Sequence, residues 1–151
     1  MADSRIVKIH KKIVELIGVD YSAKFSGIDM TGRVIRGSVV EPPYTPFACC
    51  YFDQATEEFG PTLGRFQYIA LFDIMIFIGG ADQADRFDNA TNVASDMIEA
   101  LTANRQLTLG ADGVDDVLCS FTAIDGEKFG LNEMGVGYIQ IEVSCVSDTG
   151  S

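Results

Sequence analysis

Apolar residues at Ile6, Ile9, Ile13, Val14, Leu16 and Ile17 mostly recur at spacings of three and four. That is the period of a helix with one buried stripe. Arg5, Lys8 and Lys12 fall on another face, and His10 lies beside the stripe. Asp3 or Ser4 is placed to cap the start of this helix, which is predicted to run to about Ile17, with Gly18 past its end. A second helical period runs through Phe87, Ala90, Ala94, Met97, Ile98 and Leu101. Asp82 or Asp85 starts it and puts acids at the positive end of its dipole.

Between the two helices the period becomes two. From Phe66 to Ile78 the even positions are almost wholly apolar. The odd positions Ile69, Leu71, Met75 and Phe77 are apolar as well, leaving Gln67 and Asp73. Such a strand needs cover on both faces. A helix supplies one cover; another helix or a neighbouring subunit must supply the second. Thirteen residues at ~3.3 Å each reach about 43 Å, which is long for a 16.4 kDa chain.

Phe47–Phe52 reads as a shorter strand. The Thr31-Gly32 pair reads as a turn between short apolar pieces, Val34-Ile35 and Val39-Val40. Pro42-Pro43-Tyr44-Thr45-Pro46 is neither helix nor central strand and reads as a stiff extended connector. Asp53 to Gly64, with Glu57-Glu58 and Gly60-Pro61, carries loop signals. The strands flanking it are expected to project as a long hairpin. Gly110–Asp116 reads as an acidic, turn-rich loop. Val117, Cys119, Phe121 and Ala123 alternate as in a half-buried strand, and Asp125-Gly126 opens a loop running to about Glu133. Val136–Val146 closes the fold, with a loose tail at residues 147–151. The expected class is α+β: a mainly antiparallel sheet flanked by two main helices, in one domain spanning residues 1–151.

Composition then narrows the function classes. The 151 residues are 47 % apolar and 22 % charged, a globular balance. Eleven basic residues against twenty-two acids give a net charge of −11. This disfavours binding to nucleic acid or to an anionic membrane. The charge is uneven. Residues 1–40 hold seven bases and four acids, a net +3; residues 41–151 hold four bases and eighteen acids, a net −14. Two such regions attract each other within one chain or between copies, or are simply solvated faces. No run of about 18 apolar residues reads as a membrane span. The N-terminus lacks the basic start and apolar run of a signal peptide. Four cysteines form no disulfide framework and suit a reducing cytoplasm.

Candidate chemistry is sparse. His10 is the single histidine, and on an amphipathic helix it reads as a surface or boundary residue. No Gly-x-Ser-x-Gly or phosphate-loop pattern occurs, and the glycines from Gly27 to Gly37 lack dinucleotide-binding spacing. Cys49 and Cys50 are adjacent, so in a strand they face opposite sides. With Cys119 and Cys145 they form no CxxC pair and read as small buried thiols, or as thiols that pair on oxidation. Asp112, Asp115 and Asp116 lack the closing Glu of a calcium loop. Glu57-Glu58 reads as exposed. No catalytic, cofactor or metal site is expected, which shifts weight from catalysis to assembly.

The order of these features resembles the tail terminator (tail completion) proteins of long-tailed bacteriophages. Four stretches across residues 3–146 carry the likeness. They are the N-terminal helix Ser4–His10; the Pro-rich approach to Phe47–Phe52 with its acidic loop and the long strand Arg65–Ile78; the helix Ala84–Ala103 running into residues 104–110 and Val114-Asp115-Asp116-Val117; and the closing strand Gly137–Val143. The glycine after that helix, Gly110, is single where the family pattern suggests a pair. The resemblance implies a non-enzymatic virion protein of the tail or neck, assembled in the host cytoplasm. It implies a homohexameric ring that caps the tail tube at its head-proximal end, stops tail growth and joins the head connector. Its implied partners are copies of itself, the tail tube protein and a connector or stopper protein. Genomic DNA would pass through without specific binding, and no membrane or cofactor is involved. Asp53, Glu57, Glu58 and Arg65 on the hairpin, with Ile69, Leu71, Met75 and Phe77, become interface candidates. Asp85, Asp88, Asp112, Asp115 and Asp116 become candidates for a lumen that repels phosphate. Two other readings stay open: a different head–tail connector subunit, or a small α+β ligand-binding domain or enzyme with a site between helix and sheet.

Overall fold

The computed structural model describes residues 4–20, 27–38, 42–59, 66–104, 107, 116–125 and 134–147. Helix α1 spans Arg5–Glu15 and is capped by Ser4, whose Oγ accepts the Val7 N–H at 3.3 Å. It ends two residues short of the expected Ile17 because the chain widens into a π-turn over Leu16–Asp20. That turn still delivers Leu16 and Ile17 to the core. Gly18 lies in it, and a Cβ there would stand 3.1 Å from the Val34 Cβ.

The strands are β1 (Val34–Arg36), β2 (Phe47–Phe59), β3 (Phe66–Ile78), β4 (Asp116–Asp125) and β5 (Gly135–Ser147), with helix α2 (Gln83–Ala103) between β3 and β4. They form one five-stranded sheet in the order β1-β2-β3-β5-β4. Every pairing is antiparallel except β1 with β2, which is parallel. The class is therefore α+β, as the element order implied. The expected turn at Thr31-Gly32 is present, with Gly32 at φ 71°. Asp29 anchors it by accepting from the Thr31 N–H at 2.9 Å and its hydroxyl at 2.6 Å.

The long apolar strand is β3, at the bounds its alternation suggests. It sits between β2 and β5 and pairs with β5 along its full length. One expectation fails beside it. Asp53–Phe59 is not loop but the second half of β2, paired with β3 from Gln54↔Leu71 to Phe59↔Phe66. The register shifts between Phe52 and Gln54, so Asp53 is the extra residue of a bulge. Polar residues serve here because Asp53, Gln54, Ala55 and Thr56 are all exposed. Backbone pairing with an apolar partner strand, not burial of their own side chains, makes them a strand.

Both helices cover one face of the sheet. Ala48 and Cys50 of β2, the even positions Ala70 to Ile78 of β3, and Ile139, Ile141 and Val143 of β5 form this face. They pack against Ile9 and Ile13 of α1 and Val93, Ala94, Met97 and Leu101 of α2. Each fully buried aliphatic or aromatic side chain contributes about 1.5–3 kcal/mol relative to exposure. Phe72 lies near the centre, with the His10 ring 5.3 Å and the Phe52 ring 5.5 Å away. Two residues depart from their expected places. Phe87, read as part of the α2 stripe, is 44 % exposed because the buried stripe runs through Arg86, Ala90, Val93, Ala94 and Met97 and leaves Phe87 on its flank. His10, read as a surface or boundary residue, is only 8 % exposed.

Helix α2 starts at its Asp82 cap, which accepts the Asp85 N–H at 2.8 Å. Its first turn lies hard against two strand ends. A Cβ on Gly80 would stand 2.7 Å from the Arg86 nitrogen, and one on Gly135 would stand 2.3 Å from the Arg86 carbonyl oxygen. Asn89 Nδ2 fastens the same region by donating to the Gly79 carbonyl at 3.1 Å. Among the described residues no helix is long and apolar enough to cross a membrane.

Candidate assembly surfaces

The face of the sheet that no described helix covers, here the helix-free face, has three zones. Next to the start of α2 it carries a second small core of Phe47, Cys49, Phe77 and Val136, with Met75 and Met134 against it. In the middle lies Asp73, only 4 % exposed. Its carboxylate accepts the Tyr138 hydroxyl at 2.6 Å. Tyr51, directly opposite Asp73 in the β2–β3 register, hydrogen-bonds the same carboxylate. Burial of the phenols, the hydrogen bond to Asp73 and its nearby charge push the Tyr138 ionisation well above the ordinary phenol range. Tyr51 moves the same way, with burial again the largest cause. Two phenols thus cover and satisfy a carboxyl group that interrupts an otherwise apolar strand.

Beyond Asp73 the face opens. Ile69 and Leu71 of β3 are half-buried, and Leu118 of β4 is 54 % exposed. Leu71 pairs with Glu142, which pairs with Leu118, so the three share one row of the face. Gln54 and Thr56 of β2 border it, exposed on the other side.

The residues expected at an interface therefore separate. Ile69, Leu71 and Met75 do lie together on the helix-free face. Phe77 does not offer a surface: at 1 % exposure it is consumed by the chain's own Phe47–Val136 cluster. Asp53 is the exposed bulge residue. Glu57 and Glu58 stand on β2 opposite Tyr68 and Gln67, with their side chains outside the described residues. Arg65, Asp112 and Asp115 lie outside the described residues altogether. Asp116 opens β4 opposite Ser144. Asp85 and Asp88 are exposed on the first turns of α2.

On the helix side, His10 Nε2 donates to the Cys50 carbonyl oxygen at 2.8 Å. Burial lowers its pKa below the ordinary histidine value, the Cys50 carbonyl partly offsets this, and Arg36 lowers it further. The same carbonyl also accepts the Gly37 N–H at 2.8 Å. Cys49 and Cys50 fall on opposite faces, as adjacent strand residues must. Both, with Cys119, are in the reduced thiol form. Burial pushes the Cys119 thiol up to about 11 and drives Cys50 higher still. Among the described residues no three His, Cys, Asp or Glu side chains converge as a metal site would require.

No protein-family model and no curated protein matches the sequence. Solved structures do match. One is a chain described as "Virion of native gene transfer agent (GTA) particle", at TM-score 0.63 and 13 % identity. The match covers 97 % of this chain and 100 % of that chain. At such identity the likeness is one of fold, and it extends over nearly the whole of both chains.

Proposed function

We propose that this chain is a structural virion protein that acts as a tail terminator: a ring, of six copies in the related family, that caps the head-proximal end of a tail tube. There it halts tube growth and meets the head connector. The observation that carries this reading is the end-to-end fold match with a chain of a virion particle. It agrees with the likeness of the element order to phage tail terminators. The sheet supports it: Ile69, Leu71 and Leu118 leave apolar surface on a face that no described helix covers. The β2–β3 pair beyond the bulge, with Asp53 to Thr56 all exposed, is suited to project towards a neighbouring ring. No catalytic role is proposed.

The test is particle mass and shape. Six chains of 16.4 kDa give a ring of about 98 kDa, visible by light scattering and negative-stain microscopy. Added to growing tubes of the tail-tube protein, it should fix tube length and appear at one end. A ring that ignores tubes and binds the connector would make it a different neck subunit. A compact dimer that ignores both would favour the ligand-binding reading.

A further inference from the structure

The helix layer separates charge across the sheet. Helix α1 packs over β1 and β2, at one edge, while α2 packs over β3, β5 and β4, towards the other. Within α1, four bases stand against the single acid Glu15, a net +3. Arg33 and Arg36 flank and end the adjoining β1, and Arg36 is exposed. Within α2, four acids stand against Arg86, a net −3, and the Asp82 cap adds another acid. Arg86 is buried, so the exposed charge of α2 (Asp85, Asp88 and Glu99) is all acidic.

Five strands at ~4.8 Å spacing set the two sheet edges about 19 Å apart. The Debye length at physiological salt is about 8 Å. The outermost charges of the two edges are therefore largely screened from each other within one chain. Even with Lys12 paired to Glu15 at 3.3 Å, each edge keeps its net charge, and that net charge acts across chains where oppositely charged surfaces come into contact.

We propose that the basic α1–β1 edge of one copy seats against the acidic α2–β4 edge of the next. This rests on the ring reading above and names the surfaces that build the ring. The two patches differ and lie on opposite edges, so the contact is heterologous. Repeated, it turns each copy in the same sense, and a ring is its closed form. Like edges repel, which disfavours the wrong pairing.

Two reversed proteins test it. One carries Lys11→Glu and Arg36→Glu; the other carries Asp88→Lys and Glu99→Lys. All four positions are exposed, so circular dichroism and melting should stay close to wild type. Association is followed by sedimentation velocity and, on tube ends, by microscopy. Wild-type association should weaken as salt rises from about 50 to about 500 mM. Each reversed protein alone should associate about tenfold or more weakly than wild type. Mixed in equal amounts they should recover rings, because every junction in an alternating ring is again opposite in charge.

Rings that persist in both reversed proteins overturn the edge pairing while leaving the terminator reading standing. Loss in both without recovery on mixing also overturns it. A two-fold dimer, with one helix layer stacked on another, overturns the head-to-tail geometry. A wild type that neither associates at low salt nor caps tubes overturns both the edge pairing and the terminator reading.

Discussion

Tyr138 donates its hydroxyl to the Asp73 carboxylate at 2.6 Å, diagonally across the β3–β5 pair, on the face that no described helix covers. A one-residue slip of β5 would send Tyr138 to the other side of the sheet, so this contact marks the native register. Removing a donor from a buried carboxylate costs about 1.5–3 kcal/mol. Tyr138→Phe should therefore lower stability by about that amount, measured by urea unfolding. A change near zero would mean that Tyr51 alone satisfies Asp73.

The same cluster sets the alkaline limit. Burial, the Asp73 hydrogen bond and its charge raise the folded-state ionisation of Tyr138 above the ordinary value of 10.0. Above pH 10 the unfolded phenol releases its proton while the folded one holds it. The stability linked to Tyr138 is therefore complete below pH 10 and is lost as pH rises beyond it. Tyr138→Phe should flatten that loss, followed through phenolate absorbance and melting temperature across the alkaline range.

His10 acts at the other end of the pH scale. Its pKa is lowered from 6.5, chiefly by burial. Below pH 6.5 the unfolded state takes up a proton that the folded imidazole resists, so this contribution, complete above pH 6.5, is lost on acidification. His10→Leu should remove the dependence. The Cys50 carbonyl keeps its bond from Gly37, so the cost at neutral pH should stay within about 1 kcal/mol. Imidazole proton shifts read by NMR give the folded pKa directly, and a value above 6.5 would reverse the sign.

These sites show what the sequence carried and what it did not. The bounds of β3 follow from its period, and the caps Ser4 and Asp82 are each one of the two residues that the pattern offers at that helix start. The second half of β2 did not, because Asp53 to Thr56 bury almost nothing and owe their conformation to β3. Nor did the parallel β1–β2 pair, which depends on where a proline-rich connector returns the chain. His10 sits beside the apolar stripe in projection, and only the approach of β2 buries it. Asp73 was conspicuous as a polar interruption, but its partners Tyr51 and Tyr138 come from two other strands, and pairing order is not written in a local pattern. Charge segregation was visible as a split along the chain. Its meaning as two opposite edges needed the sheet order.

The close seat of α2 gives a contrast between neighbouring glycines. A Cβ on Gly135 would stand 2.3 Å from the Arg86 carbonyl oxygen, a backbone atom that cannot move alone. Gly135→Ala should destabilise by about 2–3 kcal/mol or more. Gly79 faces only the Thr45 hydroxyl oxygen at 3.5 Å, an ordinary contact. Gly79→Ala should change stability by less than about 1 kcal/mol. Equal melting temperatures for the two variants would show that α2 does not rest on the start of β5.

The thiols report whether the sheet opens. Cys49 and Cys50 are buried on opposite faces, and burial holds Cys119 at about 11. Alkylation needs the thiolate, which at pH 8 amounts to about 0.1 % of a thiol with that pKa. Native protein treated with iodoacetamide should yield an unmodified Cys49–Cys50 peptide and a slowly modified Cys119 peptide, while urea exposes all three. Rapid native labelling of Cys50 would mean that α1 lifts from β2, since the helix-side core encloses that thiol. Labelling of Cys49 alone would instead place the opening in the Phe47–Val136 cluster on the helix-free face.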